Sequence, residues 1–276
     1  MKRWLVPVVL LCALAACRGE APGPQGTNAS DAGRADPAQA PTPGPVVLED
    51  VVETDPRYII GISWGDGVDR HPGLAILLKE YADAARAEVL QAAEAMAPDA
   101  GAMYDLALEF KVLADTPQLF AVAADGGSYT GGAHGAPLIA RFVWLPQEQR
   151  LLTAGELIPG QDAWGEVSAY VREQLHAALS QRVDADDLDP DERGRVMRSA
   201  GRMIEEGTAP DPENFAQFEP VPGGDGRLVA LRFVFPPYQV GPYSDGVQTV
   251  EVPARVLLPH VAPAYRAMFS GAPPAQ

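Results

Sequence analysis

Five glycines fall within the ten residues 126–135, and this stretch constrains the fold more than any other feature of the sequence. Apolar runs flank it at residues 118–124 and 137–145. Glycine gives the backbone freedom that other residues lack, so a dense group of glycines marks a turn or a close approach to another segment. We call residues 126–135 the glycine stretch, and we expect it to connect two strands.

The N-terminus resembles the signal peptide of a bacterial lipoprotein. Lys2 and Arg3 precede an apolar segment at residues 4–14, which is too short to span a bilayer. The sequence Leu-Ala-Ala-Cys follows, ends at Cys17 and is similar to the lipoprotein box. An ordinary secretory signal with an incidental cysteine is the alternative interpretation.

The lipoprotein resemblance implies a position for the mature protein. Residues 1–16 would be removed as the signal peptide, and Cys17 would become the N-terminus with fatty-acyl chains such as palmitate attached. Several acyl chains hold a protein firmly on a membrane. Arg18 follows the cysteine where a retention signal would have Asp, so in a Gram-negative host we expect the periplasmic face of the outer membrane.

The strongly acidic composition limits the classes of partner. The formal net charge is −16, and removal of residues 1–16 would make it more negative by two units. This charge disfavours nucleic acid and anionic lipid headgroups, and it favours cationic partners. The second cysteine, Cys12, lies in the signal segment, so the mature domain has no pair of thiols for a disulfide or a cysteine-based zinc site.

The pattern of apolar residues predicts an α+β fold with antiparallel sheets packed against helices. A strand-strand-helix-strand-strand unit is expected first, and a larger α+β domain follows it. Strands are predicted at residues 46–52, 57–64, 104–112, 118–124, 138–145, 227–235 and 247–252, with helices at 73–97, 163–182, 190–206 and 259–269. Tyr104 begins an alternating pattern typical of an antiparallel strand, whereas residues 214–219 are ambiguous.

These predictions define five segments. Residues 1–16 are the signal peptide, and residues 17–45 are the lipidated cysteine and a disordered tether rich in Pro, Gly and Ala. A smaller α+β domain is expected at residues 46–125 and a larger one at 126–270. The remaining residues, 271–276, form a tail.

Three patterns resemble catalytic or metal-binding motifs without meeting their requirements. Ser63 stands in a G-x-S-x-G sequence, but a nucleophile elbow needs a helix directly after the serine, and the predicted helix begins only at residue 73. The acidic run at residues 184–191 does not fit a calcium-binding loop, and we interpret it as a solvated loop with a helix cap. The histidines (His71, His134, His176 and His260) lack metal-ligand spacing, so no metal or cofactor is expected.

A second unusual stretch lies at residues 236–246, where Tyr238 and Tyr243 stand among prolines and glycines. Tyrosine in a stiff loop suits binding because it offers a large amphipathic surface at low entropic cost. A long, well-packed connection is the alternative interpretation. For His134 in the glycine stretch, the alternatives are a structural hydrogen bond that holds the loop and a contact with a partner.

Both stretches resemble the motifs of one extracytoplasmic domain family of unknown function. Residues 129–134 look like its Y-T-G-G-A-H signature, and residues 235–246 look like its F-x-x-Y-x-x-x-P-Y-x-x-G segment. The family includes the ectodomain of the lysozyme-sensing anti-sigma factor RsiV and the non-catalytic part of the peptidoglycan deacetylase PdaC. The resemblance covers about residues 46–269 and implies that the two loops lie side by side.

The resemblance also implies a role in the cell envelope. In the anti-sigma factor this region meets lysozyme, and lysozymes are commonly basic, which matches the acidic charge of this chain. A cytoplasmic sigma-binding segment and the aspartate- and histidine-rich motifs of a deacetylase are both missing from the sequence, so neither of those activities is expected.

We therefore expect a non-enzymatic envelope lipoprotein that binds a lysozyme-like protein or peptidoglycan through the two loops. The contact residues would be Ser128, Tyr129, Thr130, His134, Tyr238, Pro242 and Tyr243. A serine hydrolase using Ser63 or Ser128 with His134 is one alternative. A passive structural lipoprotein is the other.

Overall fold

The computed structural model describes residues 46–95, 101–186 and 188–272. The expected signal peptide, the lipidated Cys17, the tether and most of the C-terminal tail lie outside the described residues. None of the helices in the described ranges is long and apolar enough to cross a membrane.

Helices and mostly antiparallel strands are combined, which confirms the predicted α+β class. The strands are β1 (Val51–Asp55), β2 (Tyr58–Trp64), β3 (Tyr104–Asp115), β4 (Phe120–Tyr129), β5 (Ala136–Leu145), β6 (Arg150–Leu151), β7 (Phe218–Pro222), β8 (Leu228–Phe235) and β9 (Gln248–Pro253). The helices are α1 (Pro72–Ala95), α2 (Ala154–Leu157), α3 (Gln161–Ala185), α4 (Pro190–Gly207) and α5 (Ala254–Leu257), with short 3-10 helices at Pro212–Phe215, Tyr243–Asp245 and Arg266–Met268.

The first six strands form one sheet in the order of the sequence. Neighbouring strands are antiparallel, except that β2 and β3 run parallel. The expectation of antiparallel pairing for residues 104–112 is therefore correct toward β4 and wrong toward β2. The reason is α1, a crossover helix of 24 residues that returns the chain to the end of the sheet where β2 began.

Helix α1 covers one face of the six-stranded sheet. Leu74, Leu78 and Val89 are fully buried against a cluster that includes Leu106 and Phe110 of β3. On the other side of β3, every second residue is exposed: Asp105, Ala107, Glu109 and Lys111. We call this side of β1 to β3 the open face.

The strands β7, β8 and β9 form a second, antiparallel sheet. Its core is aromatic, because Trp164 of α3 stacks on Phe215 at 5.0 Å between ring centroids, and Phe215 meets Phe233 edge-on at 5.2 Å. The same hydrophobic cluster includes Ala121 and Val143 of the first sheet. The two sheets therefore share one core.

The change from the first sheet to the second occurs after β6. The expected boundary between residues 125 and 126 falls inside β4, which pairs with β3 and β5 on both sides of that point. All described residues belong to one compact unit.

The C-terminal region differs from the prediction. The helix expected at residues 259–269 is wrong, because α5 ends at Leu257 and only a 3-10 turn at Arg266–Met268 follows. Pro263 lies in the middle of the predicted helix, and a proline there removes a backbone donor and clashes with the preceding turn. The ambiguous residues 214–219 contribute to a 3-10 helix and to β7.

Candidate functional site

Two loops that are distant in the sequence meet on the surface. One is residues 130–135 between β4 and β5, and the other is residues 236–247 between β8 and β9. The ring of His134 stacks on Tyr243, with 4.2 Å between centroids and 17° between planes, and Tyr238 lies 5.7 Å from each of them. Tyr238 is 53% exposed and Tyr243 is 36% exposed. We call these three side chains the aromatic cluster.

Hydrogen bonds fix the orientation of the His134 ring. Its Nδ1 lies 3.1 Å from the carbonyl oxygen of Gly135, and its Nε2 lies 2.6 Å from the hydroxyl of Tyr238. A carbonyl oxygen only accepts, so Nδ1 must carry the proton, and Nε2 then accepts from Tyr238. The histidine therefore joins both loops with a defined tautomer.

The second loop contains a strained backbone at Tyr238, whose φ is 74°. Such a value is rare for a residue with a side chain and costs about 1–3 kcal/mol. The surroundings hold it in place, because the Tyr238 N–H donates to the Gly241 carbonyl at 2.9 Å. The side-chain amide of Gln239 donates to the carbonyls of Gly207 and Asn214 at 2.9 and 2.8 Å.

The two halves of the glycine stretch have different roles: the first half is part of a strand, and the second half reverses the chain direction. The first half extends β4 beyond its predicted end at residue 124, and a Cβ on Gly126 would overlap the carbonyl oxygen of Ala107 on β3. In the second half, Gly131 and Gly132 have φ values of 106° and 98°, which allow the chain to reverse toward β5.

The other predicted contact residues differ in accessibility. Pro242 is exposed beside Tyr243, whereas Tyr129 and Thr130 are half-buried. The Tyr129 hydroxyl donates to the Gly132 carbonyl at 3.1 Å and so stabilises the first loop. Ser128 is only 6% exposed, within β4, and it offers little surface to a partner.

A cavity of about 460 Å³ adjoins the aromatic cluster. Tyr129 and Tyr243 contribute to one side of it, and Asp105 and Ala107 of the open face contribute to another. Ala107 also lines a second cavity, of about 390 Å³, that extends over β2 to Val52 of β1. The two cavities share Ala107 and Gly126 in their lining, and we call them together the trough.

An ion-pair network that the sequence did not predict joins the two sheets. Arg141 of β5 donates from Nε to Glu219 of β7 at 2.7 Å and from Nη1 to Asp125 of β4 at 2.8 Å. Glu219 also accepts from Arg232 at 3.1 Å, and Arg232 pairs with Glu251. The hydrogen bonds with Glu251 and then Glu219 raise the pKa of Arg232. The sequence held one sign of this network, because Arg141 is the single charged residue in the otherwise apolar strand β5.

The serines of the alternative hypothesis are not activated by a histidine base in the described ranges. Ser63 is exposed on β2 and Ser128 is buried in β4. Both nitrogens of His134 are occupied by Gly135 and Tyr238. Within the described ranges, neither serine hydrogen-bonds to a histidine.

The acidic run contributes to helix structure. Asp189 accepts from the backbone N–H groups of Asp191 and Glu192 and caps α4, as its sequence predicts, and Asp184 pairs with Arg193. In the part of the chain that the structure describes, no group of three or more His, Cys, Asp or Glu is arranged to hold a metal ion.

Solved structures of two other proteins resemble this fold. A DUF3298 family protein from Pseudomonas aeruginosa PAO1 is similar in structure, with a TM-score of 0.52, 16% identity, and coverage of 81% of this chain and 96% of that one. A DUF3298 family member from Bacteroides fragilis NCTC 9343 gives a TM-score of 0.44 at 17% identity, with coverage of 73% and 71%.

Sequence comparison identifies one domain. No curated protein matches significantly. The family model described as "Protein of unknown function (DUF3298)" matches residues 157–255, from α2 to the start of α5, and this range includes Tyr238 and Tyr243 but not the glycine stretch. Residues 157–255 of this chain are therefore similar to the DUF3298 family.

Proposed function

We propose that this protein is a non-enzymatic lipoprotein of the cell envelope that binds a protein or glycan partner through the two loops. The aromatic cluster is the observation that carries the proposal. It exposes two tyrosines whose orientation is already set by stacking and by the hydrogen bond from Tyr238 to His134. Aromatic side chains held in this way bind with little further loss of entropy.

The trough beside the cluster supports a ligand of extended shape. Small residues line it, among them Gly61 and Ala107 of the open face and Gly127 of β4. Asp105 and Glu109 stand along it as hydrogen-bond acceptors. A glycan strand presents hydroxyl donors and apolar ring faces, which such acceptors and the two tyrosines would complement.

Charge supports a basic protein as the other partner. The chain carries a formal charge of −16, which would accelerate the approach of a cationic protein at low salt. A lysozyme-like enzyme fits this description, and the resemblance to the lysozyme-sensing ectodomain points to the same class. Peptidoglycan and a lysozyme-like enzyme are therefore the two partners that we propose to test.

Anchoring through Cys17 rests on the sequence pattern alone. Labelling cells with a fatty-acid analogue tests it, because label should appear on the wild type and disappear in Cys17→Ser. The labelled protein should fractionate with the outer membrane of a Gram-negative host. Label that persists in Cys17→Ser would remove this part of the proposal.

Binding is tested with the purified full chain in detergent micelles. Affinities for a basic lysozyme and for soluble peptidoglycan fragments are measured for the wild type and for Tyr243→Ala. We expect a loss of about tenfold or more, because exposed aromatic anchors contribute strongly to binding. Val229→Ala is the matched control, since Val229 is exposed at 42% on β8, outside the two loops. Equal affinities of Tyr243→Ala and wild type for both ligands would contradict the proposal.

A serine-directed covalent probe separates this proposal from a hydrolase. The proposed binding function predicts no specific labelling of the folded protein. Labelling that is lost in Ser63→Ala or Ser128→Ala would establish a nucleophilic serine and overturn it.

A further inference from the structure

A separate cavity of about 410 Å³ lies between the end of β5, α2 and the 3-10 helix Pro212–Phe215. Its walls include Arg141, Val143, Leu152, Ala154 and Pro212. None of its lining residues belongs to the two loops described above. The volume is within the range of sites that bind small molecules or single groups of a larger ligand.

Arg141 gives this cavity an unusual donor. The arginine side chain is only 6% exposed. Its Nε donates to Glu219, and its Nη1 donates to Asp125 and to the carbonyl oxygen of Ala140. None of the described residues accepts a hydrogen bond from Nη2.

This nitrogen is not sealed inside the protein. Among the described side chains, Nε1 of Trp144 is the polar atom that is both fully enclosed and without a hydrogen-bond partner. Arg141 Nη2 also lacks a partner, but it is accessible from outside the protein. Arg141 lines the cavity, and Nη2 is the candidate donor to a molecule that enters there because its N–H groups are unused. A hydrogen bond from a charged donor is stronger than one between neutral groups, so an acceptor bound at Nη2 would be held well.

The charges around Arg141 select a neutral acceptor. Asp125 and Glu219 both pair with the guanidinium, and Glu213 stands on the cavity wall. The positive charge is therefore already offset by two carboxylates, and Glu213 on the cavity wall would repel an anionic ligand. A neutral carbonyl oxygen accepts from Nη2 without that repulsion.

The apolar walls define what should lie beside that carbonyl. Val143, Leu152 and Ala154 are buried side chains at the base of the cavity. They favour a small apolar group, since contact there removes apolar surface from water. A methyl or methylene carbon next to a carbonyl satisfies both requirements, and this arrangement is found in an N-acyl amide.

We infer that this cavity binds an N-acyl amide, with its carbonyl oxygen on Arg141 Nη2 and its acyl carbon against Val143 and Leu152. Two sources present this chemistry: the acetamido group of an N-acetylated sugar and the acyl end of an N-acetylated peptide. The inference is independent of the aromatic cluster.

The test uses the full chain in micelles and three ligands: fully N-acetylated chitotetraose, cellotetraose, and an N-acetyl-alanyl-alanine amide. Cellotetraose has a hydroxyl wherever chitotetraose has an acetamido group. We expect chitotetraose or the acetylated peptide to bind and to shift the Arg141 side-chain resonances, whereas cellotetraose does not. Binding by one acetylated ligand alone identifies the source.

Ala216→Trp is the decisive variant, because Ala216 is exposed and lines the cavity, so the new ring fills it without touching the core. Its affinity should fall by about tenfold or more. Ala177→Trp, at an exposed position on α3, is the matched control and should bind as the wild type does. Gly155→Leu provides a second blocking variant, since a Cβ there makes only ordinary contact with Pro212. Thermal melts confirm that each variant is folded.

The inference is overturned if neither acetylated ligand shifts the Arg141 side-chain resonances, if cellotetraose shifts them equally, or if Ala216→Trp and Ala177→Trp bind the acetylated ligands alike. If Tyr243→Ala abolishes binding and Ala216→Trp does not, the inference fails while the proposed function of the two loops stands.

Discussion

Tyr238 donates a hydrogen bond to Nε2 of His134, with 2.6 Å between the oxygen and the nitrogen, although the two residues are 104 positions apart in the sequence. His134 is in turn stacked on Tyr243. The loop after β4 and the loop after β8 are therefore coupled through one imidazole ring. A partner that contacts this surface meets a single prearranged unit.

The first prediction concerns the strength of that coupling. Tyr238→Phe keeps the ring and removes the hydroxyl, so the free energy of unfolding should fall by about 0.5 kcal/mol, at the lower end of the usual range because the pair is exposed. A double-mutant cycle with His134→Ala, measured by urea unfolding, should give a coupling energy of about 0.5 kcal/mol. Strictly additive effects would show that the hydrogen bond contributes nothing.

The second prediction concerns the tautomer of His134. Because Nδ1 faces the Gly135 carbonyl and Nε2 faces the Tyr238 hydroxyl, neutral His134 should carry its proton on Nδ1. Long-range proton–nitrogen correlation spectra above neutral pH report this directly. Tyr238→Phe should shift the ring toward a mixture of tautomers. A dominant Nε2–H form in the wild type would contradict the geometry.

Local patterns predicted much of the fold. The alternation that begins at Tyr104 gave the strand β3, and Asp189 followed by Pro190 gave the start of α4. The parallel pairing of β2 with β3 was not predicted, because the direction of a strand depends on how α1 packs on the sheet. Such packing is set by contacts between distant residues, which local periodicity does not encode.

The meeting of the two loops was predicted from a resemblance and not from local patterns. A resemblance to known motifs placed the two loops together, and no physical argument from spacing would have paired His134 with Tyr238. The contact between Arg141 and Glu219 was missed, since the two residues are 78 positions apart in the sequence. An isolated charge in an apolar strand predicts that a partner exists but not which residue it is.

The third prediction concerns this ion pair between the sheets. Arg141 and Glu219 are 6% and 10% exposed, so removing Glu219 leaves the buried guanidinium with Asp125, which is 46% exposed, as its remaining carboxylate partner. Glu219→Ala should lower the free energy of unfolding by about 3–5 kcal/mol. The double variant Arg141→Met with Glu219→Leu should be less destabilised than Glu219→Ala alone, because no buried charge is left without a partner. Chemical unfolding at constant pH measures both, and a double variant that is less stable than either single one would refute the explanation.

The fourth prediction concerns Gly126. A methyl group there would overlap the backbone oxygen of Ala107, and neither strand can move without disturbing the ladder. Gly126→Ala should cost about 1–3 kcal/mol or more, as expected for overpacking. Gly224→Ala is the matched control, because nothing lies within 4 Å of a Cβ at Gly224. Equal melting temperatures for the two variants would contradict the close approach of β3 and β4.

The last prediction concerns the dependence of stability on pH. His71 precedes α1, and its ring packs edge-on against Phe120 at 4.8 Å between centroids. Burial, and then the charge of Arg70, lower the pKa of His71 below its ordinary value of 6.5. The folded protein therefore prefers the neutral ring, whereas the unfolded chain takes up a proton at the ordinary pKa.

The contribution of His71 to stability should consequently be complete above pH 6.5 and should be lost as the pH falls through the lower pKa of the folded state. Glutamine does not titrate, so the free energy of unfolding of His71→Gln should depend less on pH between about 7.5 and 5 than that of the wild type. The carboxyl of Glu156, whose pKa is lowered mainly by the backbone N–H of Thr153, responds below its ordinary value of 4.5 and stays outside this window. Urea unfolding at intervals across the window compares wild type with His71→Gln, and identical slopes would show that His71 titrates alike in both states.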